Sequence, residues 1–588
     1  MEFIKNMEIK ELSYYINQAK IIKPENHKNK IRIAFVGSFT LNGFEETIQV
    51  QCNDEKINCI TYNSPYNQFN QEILDENSNL YKFKPDIIFL LIDNRTILEN
   101  SFYFSNINSE NEKKKYTDEK FNEINNLIKT FTKKSHSKII IANFVIPTYT
   151  PLGIYESKIE YGIKEIIFEL NKKLKELSRN IDSCYVYDFN SFVTKFGEKN
   201  ILDYKKMNYG DIKINFDIIP HLIYDFLGYV KPILGSNKKC LVLDLDNTLW
   251  GNIIGEDGIE GIKIGPYPEG RSFVEFQKVI KALSENGIIL AINSKNNQKD
   301  AMKAINEHPH MILREKDFSC IKINWNDKIS NMKEIAKDLN IGLDSIVFFD
   351  DDPINRELLR MGIPEVNTIE LPKDPSSYAQ ILRNLNDFNI LKITKDDVQR
   401  KIMYKQEQNR KKLESSTENL NEYLKKLDIK IKIKLDNEFS ISRISQLILK
   451  TNQFNLTTKR YQEEEIKEFV EDKTMIVGCS EVDDKFGENG ITNVFIIKTK
   501  SNEWIIDTFL LSCSIMGRGI EEGIIGKILE IAKDKGIEKI TATFIPTEKN
   551  KPAENFLKNY GFKKEKENWV FLLKNEIKIP DYLEVELK

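Results

Sequence analysis

Two aspartates spaced two residues apart follow an apolar run in the stretch KKCLVLDLDNTLWGN (Lys238–Asn252). A buried parallel strand delivers side chains to its carboxyl edge, where open α/β sheets build their sites. Asp244 and Asp246 would point the same way there, and two adjacent like charges need a cation, usually Mg²⁺. One carboxylate oxygen is then left to attack phosphorus. The stretch indicates phosphoryl transfer, although taken alone it is equally compatible with a strand that ends in a polar turn.

Three later segments extend this pattern in chain order. The apolar run at 287–297 ends at Ser294, whose hydroxyl can donate to a phosphoryl oxygen. Lys328 opens a helical pattern, and its ammonium is a compact charge suited to phosphate. A third apolar run, at 344–353, ends in Asp350 and Asp351. Little chain separates these motifs, so we expect no large cap domain and a site that is open or covered by other parts of the protein.

The order acid–acid, hydroxyl, lysine, acid–acid resembles haloacid-dehalogenase (HAD)-type phosphotransferases. The resemblance implies that Asp244 is the phosphoryl-accepting nucleophile and Asp246 the general acid/base. It also implies a Mg²⁺ cofactor, held by Asp244, Asp246, Asp350 and Asp351. The residues expected to bind the phosphoryl group or substrate in this part of the chain are Thr248, Ser294, Lys295, Asn296 and Lys328.

Composition limits the class of protein. At 588 residues the chain is too long for one core, and three domains are expected. The net charge of −3 gives no electrostatic footprint for nucleic acid. No apolar run approaches the ~20 residues needed to span a bilayer, and the N-terminus lacks a signal-peptide core. The seven cysteines are scattered without zinc-ligand spacing, which predicts reduced thiols and a cytoplasmic location.

Residues 1–235 alternate strand-like and helix-like runs, typical of a doubly wound α/β domain of SGNH or flavodoxin-like type. Its apolar runs lie at 31–39, 85–93, 138–146 and 184–192. Ser38 closes the first run, where an SGNH-type hydrolase carries its serine. Asp217 and His221 are four residues apart rather than in a clean Asp-x-x-His pattern. We therefore expect a non-hydrolytic domain that docks or covers substrate, with a working serine site as the alternative.

Residues 236–390 form the expected HAD-like domain, and 391–428 read as a charged helical linker. Residues 429–588 form a third unit, which opens with IKIKIKL, a strictly alternating and therefore half-buried strand. Its centre, Trp504–Gly536, reads as a strand, a glycine-bearing turn and an amphipathic helix, whose positive end is a ready anion site. With Asn550 and Tyr560 further on, this unit resembles the α+β fold of GNAT acyltransferases.

The chain as a whole resembles FkbH-like proteins, a group also described as HAD subclass IIIC phosphatases. The motifs that carry the resemblance are DLDNTLWGN (244–252), SKNN (294–297), INWNDK (323–328), LKTNQFNLTTKRY (449–461), DDKFGENG (483–490) and LSCSIMGRG (511–519). Such enzymes take the acyl phosphate 1,3-bisphosphoglycerate, remove phosphate, hold the glyceryl group on a cysteine and pass it to an acyl carrier protein in polyketide pathways. The partners it implies are that carrier and a small phosphorylated acyl substrate.

The family's cysteine maps onto Cys513, which ends an apolar strand just ahead of a helix N-terminus, where a thiol pKa is lowered. A small buried hydrophobe is the alternative role. No histidine follows His310, so a Cys–His pair within this unit is excluded. The resemblance further implies two groups of binding residues: Asn452, Gln453 and Arg518 for the substrate, and Gly517, Gly519, Asn550 and Tyr560 for the pantetheine arm of the carrier.

A chemical constraint divides the work between the two sites. If Asp244 attacked the acyl-phosphate phosphorus, free glycerate would form and the activation would be lost. We therefore expect Asp244 to remove the ester phosphate and Cys513 to displace the acyl phosphate. The alternatives are a plain Mg²⁺-dependent phosphatase, a non-catalytic scaffold that docks carrier proteins, and a CoA-dependent acetyltransferase. The last is disfavoured because Glu521 would place a carboxylate near the pyrophosphate of coenzyme A.

Overall fold

A computed structural model describes residues 9–23, 27, 29–103, 109–392, 406, 410, 413, 417, 419–512, 515–547 and 549–588. The chain divides into two compact units, residues 8–230 and residues 231–588. Most of the expected linker at 391–428 lies outside the described residues, and so does Cys513. The predicted boundary near residue 390 stays a prediction. No helix in the described part of the chain is both long and apolar enough to cross a bilayer.

The unit at residues 8–230 is built on a five-stranded parallel sheet in the order β2-β1-β3-β4-β5. This order is flavodoxin-like, and helices cover both faces. The strands are β1 (Asn29–Gly37), β2 (Ile57–Asn63), β3 (Ile87–Leu91), β4 (Lys138–Ala142) and β5 (Cys184–Tyr187). The helices are α1 (Leu12–Ala19), α2 (Phe44–Asp54), α3 (Phe69–Leu74), α4 (Asn79–Phe83), α5 (Asn94–Leu98), α6 (Glu110–Lys134), α7 (Ile163–Asn180), α8 (Phe189–Phe196), α9 (Glu198–Ile201), α10 (Tyr204–Gly210) and α11 (Ile219–Ile233).

The unit at residues 231–588 opens with a second five-stranded parallel sheet, in the order β10-β9-β6-β7-β8. Its strands are β6 (Cys240–Leu243), β7 (Ile289–Lys295), β8 (Cys320–Asn324), β9 (Ile346–Phe349) and β10 (Asn367–Thr368). Its helices are α12 (Ile254–Gly261), α13 (Pro268–Glu285), α14 (Gln298–Glu307), α15 (Lys328–Asp338), α16 (Pro353–Gly362) and α17 (Tyr378–Asn384). Apolar cores fill both faces: Phe276 and Ile280 of α13 pack on one side, and Met332 and Leu359 on the other.

A mixed sheet follows in the same unit, in the order β17-β18-β16-β15-β14-β13-β11-β19, with β12 paired to β15. Its strands are β11 (Ile429–Leu435), β12 (Phe454–Asn455), β13 (Met475–Asp484), β14 (Gly487–Thr499), β15 (Glu503–Leu511), β16 (Lys539–Thr543), β17 (Lys563–Glu565), β18 (Asn568–Leu572) and β19 (Leu583–Leu587). Its helices are α18 (Leu420–Leu427), α19 (Ile441–Lys450), α20 (Glu463–Glu471), α21 (Ile520–Asp534) and α22 (Phe556–Tyr560).

The multidomain α/β architecture expected from the sequence is confirmed, and so is the strand–turn–helix at the centre of the C-terminal sheet. The sequence reasoning missed β2, β8, β10, β12, β17 and β19. β2 is half-polar at its carboxyl end, and β12 is two residues long. β19 alternates charged and apolar residues next to the chain terminus and pairs in parallel with β11, a partner far away in sequence. Such pairings depend on long-range contacts that local periodicity does not carry.

Candidate active site

Three carboxylates meet at the carboxyl edge of the second parallel sheet. Strands β6 and β9 pair in parallel with Leu243 opposite Phe349, so the residues that follow each strand are neighbours. Asp244, Asp350 and Asp351 each offer an oxygen that lies within 4.8 Å of the others. The two sequence motifs are about a hundred residues apart, and only the pairing of their strands brings them together.

Lys328 is the cation of this cluster. Its Nζ lies 2.9 Å from Asp244 Oδ2 and also donates to Asp350. Burial works against the charged ammonium, but the two carboxylates outweigh it and raise the pKa of Lys328. The ammonium therefore stays protonated and fixes one oxygen of Asp244. Asn293, near the carboxyl end of β7, donates from Nδ2 to the Lys328 carbonyl at 2.9 Å and thereby holds the start of α15.

The cluster holds three carboxylates and one ammonium group, so a divalent cation would balance the excess of negative charge. Asp244 Oδ1 is buried and has no hydrogen-bond partner. Burial and the neighbouring Asp244 raise the pKa of Asp350 to about 6 and the pKa of Asp351 to about 7. Oxygen-only ligands of this kind suit Mg²⁺. Asp350, Asp351 and the Oδ2 of Asp244 would hold such an ion, which would offset the negative charge that opposes approach of a phosphate and leave Asp244 Oδ1 free.

Asp246 does not belong to this cluster of three carboxylates, and its role as a metal ligand stays a prediction. Its Oδ1 accepts from Trp250 Nε1 at 2.9 Å and from the Ile254 N–H at 3.1 Å. Its Oδ2 accepts from Asn296 Nδ2 at 2.8 Å. Burial, more than the neighbouring Asp244, raises its pKa. A fixed carboxyl with a raised pKa is suited to holding a proton for a leaving group.

The other expected phosphate-binding residues surround the cluster in different ways. Ser294 lies buried near the carboxyl end of β7, one strand away from Asp244, whereas Lys295 after it is exposed. Asn296 orients Asp246, as described above. Thr248 is fully buried, and its Oγ1 accepts from the Asp351 N–H at 3.1 Å, so it ties the two acidic loops together. Binding by any of them stays a prediction.

Arg356 is a residue of this site that the sequence reasoning missed. Its Nη1 donates to the backbone carbonyls of Asp350 at 2.8 Å and Asp351 at 2.7 Å. Its Nη2 donates to Glu370, and the side chain is buried. It thus fixes the backbone from which two of the three carboxylates project. Arg356 lies in the first turns of α16, and no sequence pattern around it predicts that its side chain turns back to the acidic loop.

We expect Arg356→Met to loosen the acidic loop. Two buried carbonyls lose a charged donor, which should lower the free energy of unfolding by about 2 kcal/mol and weaken metal retention. The measurement is the Mg²⁺ concentration that half-saturates phosphate release, together with the melting temperature. Arg360→Met is the matched control, because Arg360 lies on the same helix and also contacts Glu370 but not the loop. An unchanged Mg²⁺ requirement in Arg356→Met would contradict this positioning role.

Around the predicted cysteine, the structure describes both flanks. β15 ends at Leu511, Ser512 N–H donates to Thr492 O at 2.7 Å, and α21 begins at Ile520. Gly517 and Gly519 adopt left-handed backbone angles, φ 80° and 69°, which glycine permits. Arg518 is buried, with Nη1 3.6 Å from Asp484 Oδ2. The role of Cys513 itself stays a prediction.

Part of the TNQFNLT motif fills the space between two diverging strands. β15 and β16 pair only as far as Ile506 and Ala542. Beyond that point Phe454 pairs with Leu511, the Leu456 N–H donates to Phe509 O at 3.1 Å, and the Ile545 N–H donates to Leu456 O at 2.8 Å. Residues 454–456 thus bridge the two strands. This places the preceding Asn452 and Gln453 beside the end of β15, from which the chain continues to Cys513.

Asn550 and Tyr560, both expected to bind pantetheine, make hydrogen bonds within the protein, and their binding role stays a prediction. Asn550 is fully buried and its Nδ2 donates to the carbonyls of Asn455 and Ile545, each at 2.9 Å, so it holds the inserted segment and is not open to a ligand in this arrangement. Tyr560 donates from its hydroxyl to Lys578 O at 2.8 Å. Glu521, near the start of α21, has a pKa raised by burial, and its Oε2 lacks a hydrogen-bond partner.

In the N-terminal unit, Ser38 is buried and its Oγ accepts from the Asp93 N–H at 2.8 Å. Asp93 in turn accepts from Lys213 and Arg95. His221 packs against the Phe196 ring, and burial together with nearby Lys195 lowers its pKa to about 4. The Ser38 hydroxyl is thus engaged by the backbone of Asp93 and His221 is neutral near pH 7, and the expectation of a non-hydrolytic domain stays a prediction.

Comparison with solved structures gives one extensive similarity. The chain matches the crystal structure of the N-terminal part of the protein BF1531 from Bacteroides fragilis, described as containing a phosphatase domain complexed with Mg. The two are 29% identical with a TM-score of 0.59, and the match covers 65% of this chain and 99% of that chain. A mutant of the spermidine N-acetyltransferase SpeG from Vibrio cholerae also matches, at 12% identity and a TM-score of 0.20, over 24% of this chain and 94% of that one.

Comparison with curated proteins gave no match. In the comparison with protein families, residues 32–231 match the family described as FkbH, N-terminal domain. The matched segment covers the flavodoxin-like sheet of the N-terminal unit, from within β1 into α11. The resemblance to FkbH-like proteins that the sequence motifs indicate is thereby confirmed, and the chain carries an FkbH N-terminal domain at residues 32–231.

Proposed function

We propose that the protein is a Mg²⁺-dependent phosphatase of haloacid-dehalogenase type that also loads a small acyl group, through Cys513, onto an acyl carrier protein. The observation that carries the phosphatase activity is the convergence of Asp244, Asp350 and Asp351 on Lys328, with one oxygen of Asp244 left buried and unpartnered. The Mg-bound phosphatase domain of the Bacteroides fragilis protein supports the same assignment.

In the phosphatase reaction, the free oxygen of Asp244 attacks the phosphorus of a phosphate ester. Lys328 keeps the other oxygen in place, so the nucleophile has one orientation. The bond from phosphorus to the ester oxygen breaks, and the phosphoryl group moves to Asp244. Asp246, fixed by Trp250 and Asn296, gives its proton to the leaving alkoxide. It then takes a proton from the water that hydrolyses the aspartyl phosphate.

The loading reaction uses the second site. The Cys513 thiolate attacks the carbonyl carbon of an acyl phosphate, and inorganic phosphate leaves, so a thioester forms without oxidation or reduction. The acyl group then passes to the thiol of the carrier. The order of the chain supports a lowered thiol pKa, because Cys513 follows β15 and precedes Arg518 and α21 in the sequence. A glyceryl group from 1,3-bisphosphoglycerate is the proposed cargo.

Metal dependence tests the phosphatase assignment. Phosphate release from 3-phosphoglycerate should stop when divalent ions are chelated and return when Mg²⁺ is added. Asp350→Asn should need at least about tenfold more Mg²⁺ for half-maximal rate, because one ligand charge is lost. Asp374→Asn, an exposed helix-cap aspartate in the same domain, is the control. Full activity in the presence of chelator would reject the proposal.

A further inference from the structure

The carboxyl group of Asp246 is held by its own loop, the one that follows β6. Its Oδ1 accepts from Trp250 Nε1 at 2.9 Å and from the Ile254 N–H at 3.1 Å. The side chains of Trp250 and Ile254 are both buried in the core on one face of the second parallel sheet. Oδ1 is therefore fixed by two donors that belong to residues anchored in the core.

Neither donor on Oδ1 can exchange its role for that of an acceptor. The indole nitrogen and the backbone nitrogen each carry one hydrogen and offer no lone pair for a hydrogen bond. The two lone pairs of Oδ1 are thus occupied by Trp250 and Ile254 whether or not the carboxyl group carries a proton. A proton on Asp246 therefore belongs on its other oxygen, Oδ2.

Oδ2 of Asp246 accepts from the Asn296 amide at 2.8 Å. The orientation of this amide is determined, because Asn296 Oδ1 accepts from the Asn297 N–H at 2.9 Å and the NH₂ group is left to face Asp246. Asn296 follows β7, which pairs in parallel with β6, so this donor lies at the carboxyl edge of the sheet. The donors thus turn Oδ1 toward the core and Oδ2 toward the edge that carries the site, with one lone pair of Oδ2 left for a proton.

We infer that Trp250 is a positioning residue for proton transfer, which keeps Oδ1 of Asp246 as an acceptor and leaves Oδ2 to carry the proton. This rests on the proposed function and makes the site selective for leaving groups that need a proton. When the phosphorus–oxygen bond of an alcohol's phosphate ester breaks, the phosphoryl group moves to Asp244 and the alkoxide takes the proton from Oδ2. An acyl phosphate instead releases a carboxylate, which is stable without that proton.

Two substrates with different leaving groups test the inference, namely 3-phosphoglycerate, which releases an alkoxide, and acetyl phosphate, which releases a carboxylate. Trp250→Phe keeps a buried aromatic ring but has no N–H donor. It should lower kcat for 3-phosphoglycerate at least about tenfold, which is part of the roughly 10²–10⁴-fold that a positioned general acid contributes, and leave the rate with acetyl phosphate within about twofold. Trp504→Phe is the matched control, because Trp504 is a buried tryptophan of the mixed sheet, and it should change neither rate.

Asn296→Ala makes the same comparison without a change in the core, since it removes the donor on Oδ2. It should show the same difference between the two substrates, and it decides the question if Trp250→Phe does not fold. The melting temperature of each variant is measured in parallel, because a buried indole N–H also needs an acceptor for stability.

Equal losses with both substrates would show that Trp250 only supports the fold and would overturn the inference, as would unchanged rates with both. If the wild-type protein hydrolyses acetyl phosphate but not 3-phosphoglycerate, the inference fails while the phosphatase assignment stands. If neither substrate releases phosphate, the proposed function fails with it.

Discussion

Replacing Asp244 by Asn should abolish phosphate release, with a loss of at least about 10³-fold in kcat, since the only oxygen positioned for attack is replaced by an amide. The second oxygen is fixed by Lys328, so the site has no alternative nucleophile from this residue. Release of inorganic phosphate from 3-phosphoglycerate measures the effect. Asp300→Asn, an exposed residue on α14 of the same domain, should leave the rate unchanged.

The same variant separates the two proposed sites. With 1,3-bisphosphoglycerate, Asp244→Asn should still form a covalent adduct on Cys513, and the intact mass should show that this adduct retains the ester phosphate. A dephosphorylated glyceryl adduct, or none, would refute the division of labour between Asp244 and Cys513. The melting temperature needs to be followed in parallel, because Lys328 loses one of its two carboxylate partners.

The second large effect is expected at Cys513. Cys513→Ser should eliminate the acyl adduct and stop transfer to the carrier, while phosphate release from 3-phosphoglycerate continues at the wild-type rate. A serine hydroxyl in this position lacks a histidine of its own domain to activate it, since no histidine follows His310. Intact mass of the protein and of the carrier after reaction measures both losses.

Cys479→Ser is the control for this experiment, since Cys479 is the other thiol of the C-terminal sheet and is buried on β13. It should keep both the adduct and the transfer. Cargo that still reaches the carrier at full rate in Cys513→Ser would reject the thioester route. The protein would then transfer the acyl group by a route that does not use this thiol, whereas a wild-type protein that loads no carrier at all would be a plain phosphatase.

The candidate phosphatase site was predictable from the sequence to a large extent. Each of its charged groups directly follows an apolar strand or opens a helix, and parallel strands end at a common edge. Asp244, Asp350 and Lys328 could therefore be placed together without a structure. Arg356 could not be placed at the site from the sequence, because it contacts backbone carbonyls. Every residue has a backbone carbonyl, so such a contact does not depend on which residue type supplies it.

In the C-terminal sheet, less could be predicted from the sequence than in the phosphatase site. Within the TNQFNLT motif, substrate binding by Asn452 and Gln453 stays a prediction, whereas residues 454–456 bridge β15 and β16 through their backbone and Asn550 donates to the Asn455 carbonyl. Sequence patterns show which residues are unusual but do not distinguish a binding residue from one that satisfies buried main-chain groups. The same limit applied to Asp246, whose two oxygens are both engaged by protein donors.

The sequence by itself therefore determined the parallel strands that carry the acidic and hydroxyl groups, the order of those groups along the chain, and hence the class of chemistry, because these follow from local periodicity and from where strands end. Only the tertiary structure decided which carboxylates lie together around Lys328 and which side chains hold loops through backbone carbonyls. Those features depend on contacts between residues far apart in the chain. Which groups are buried and which hydrogen bonds form is determined only when the strands and helices pack together.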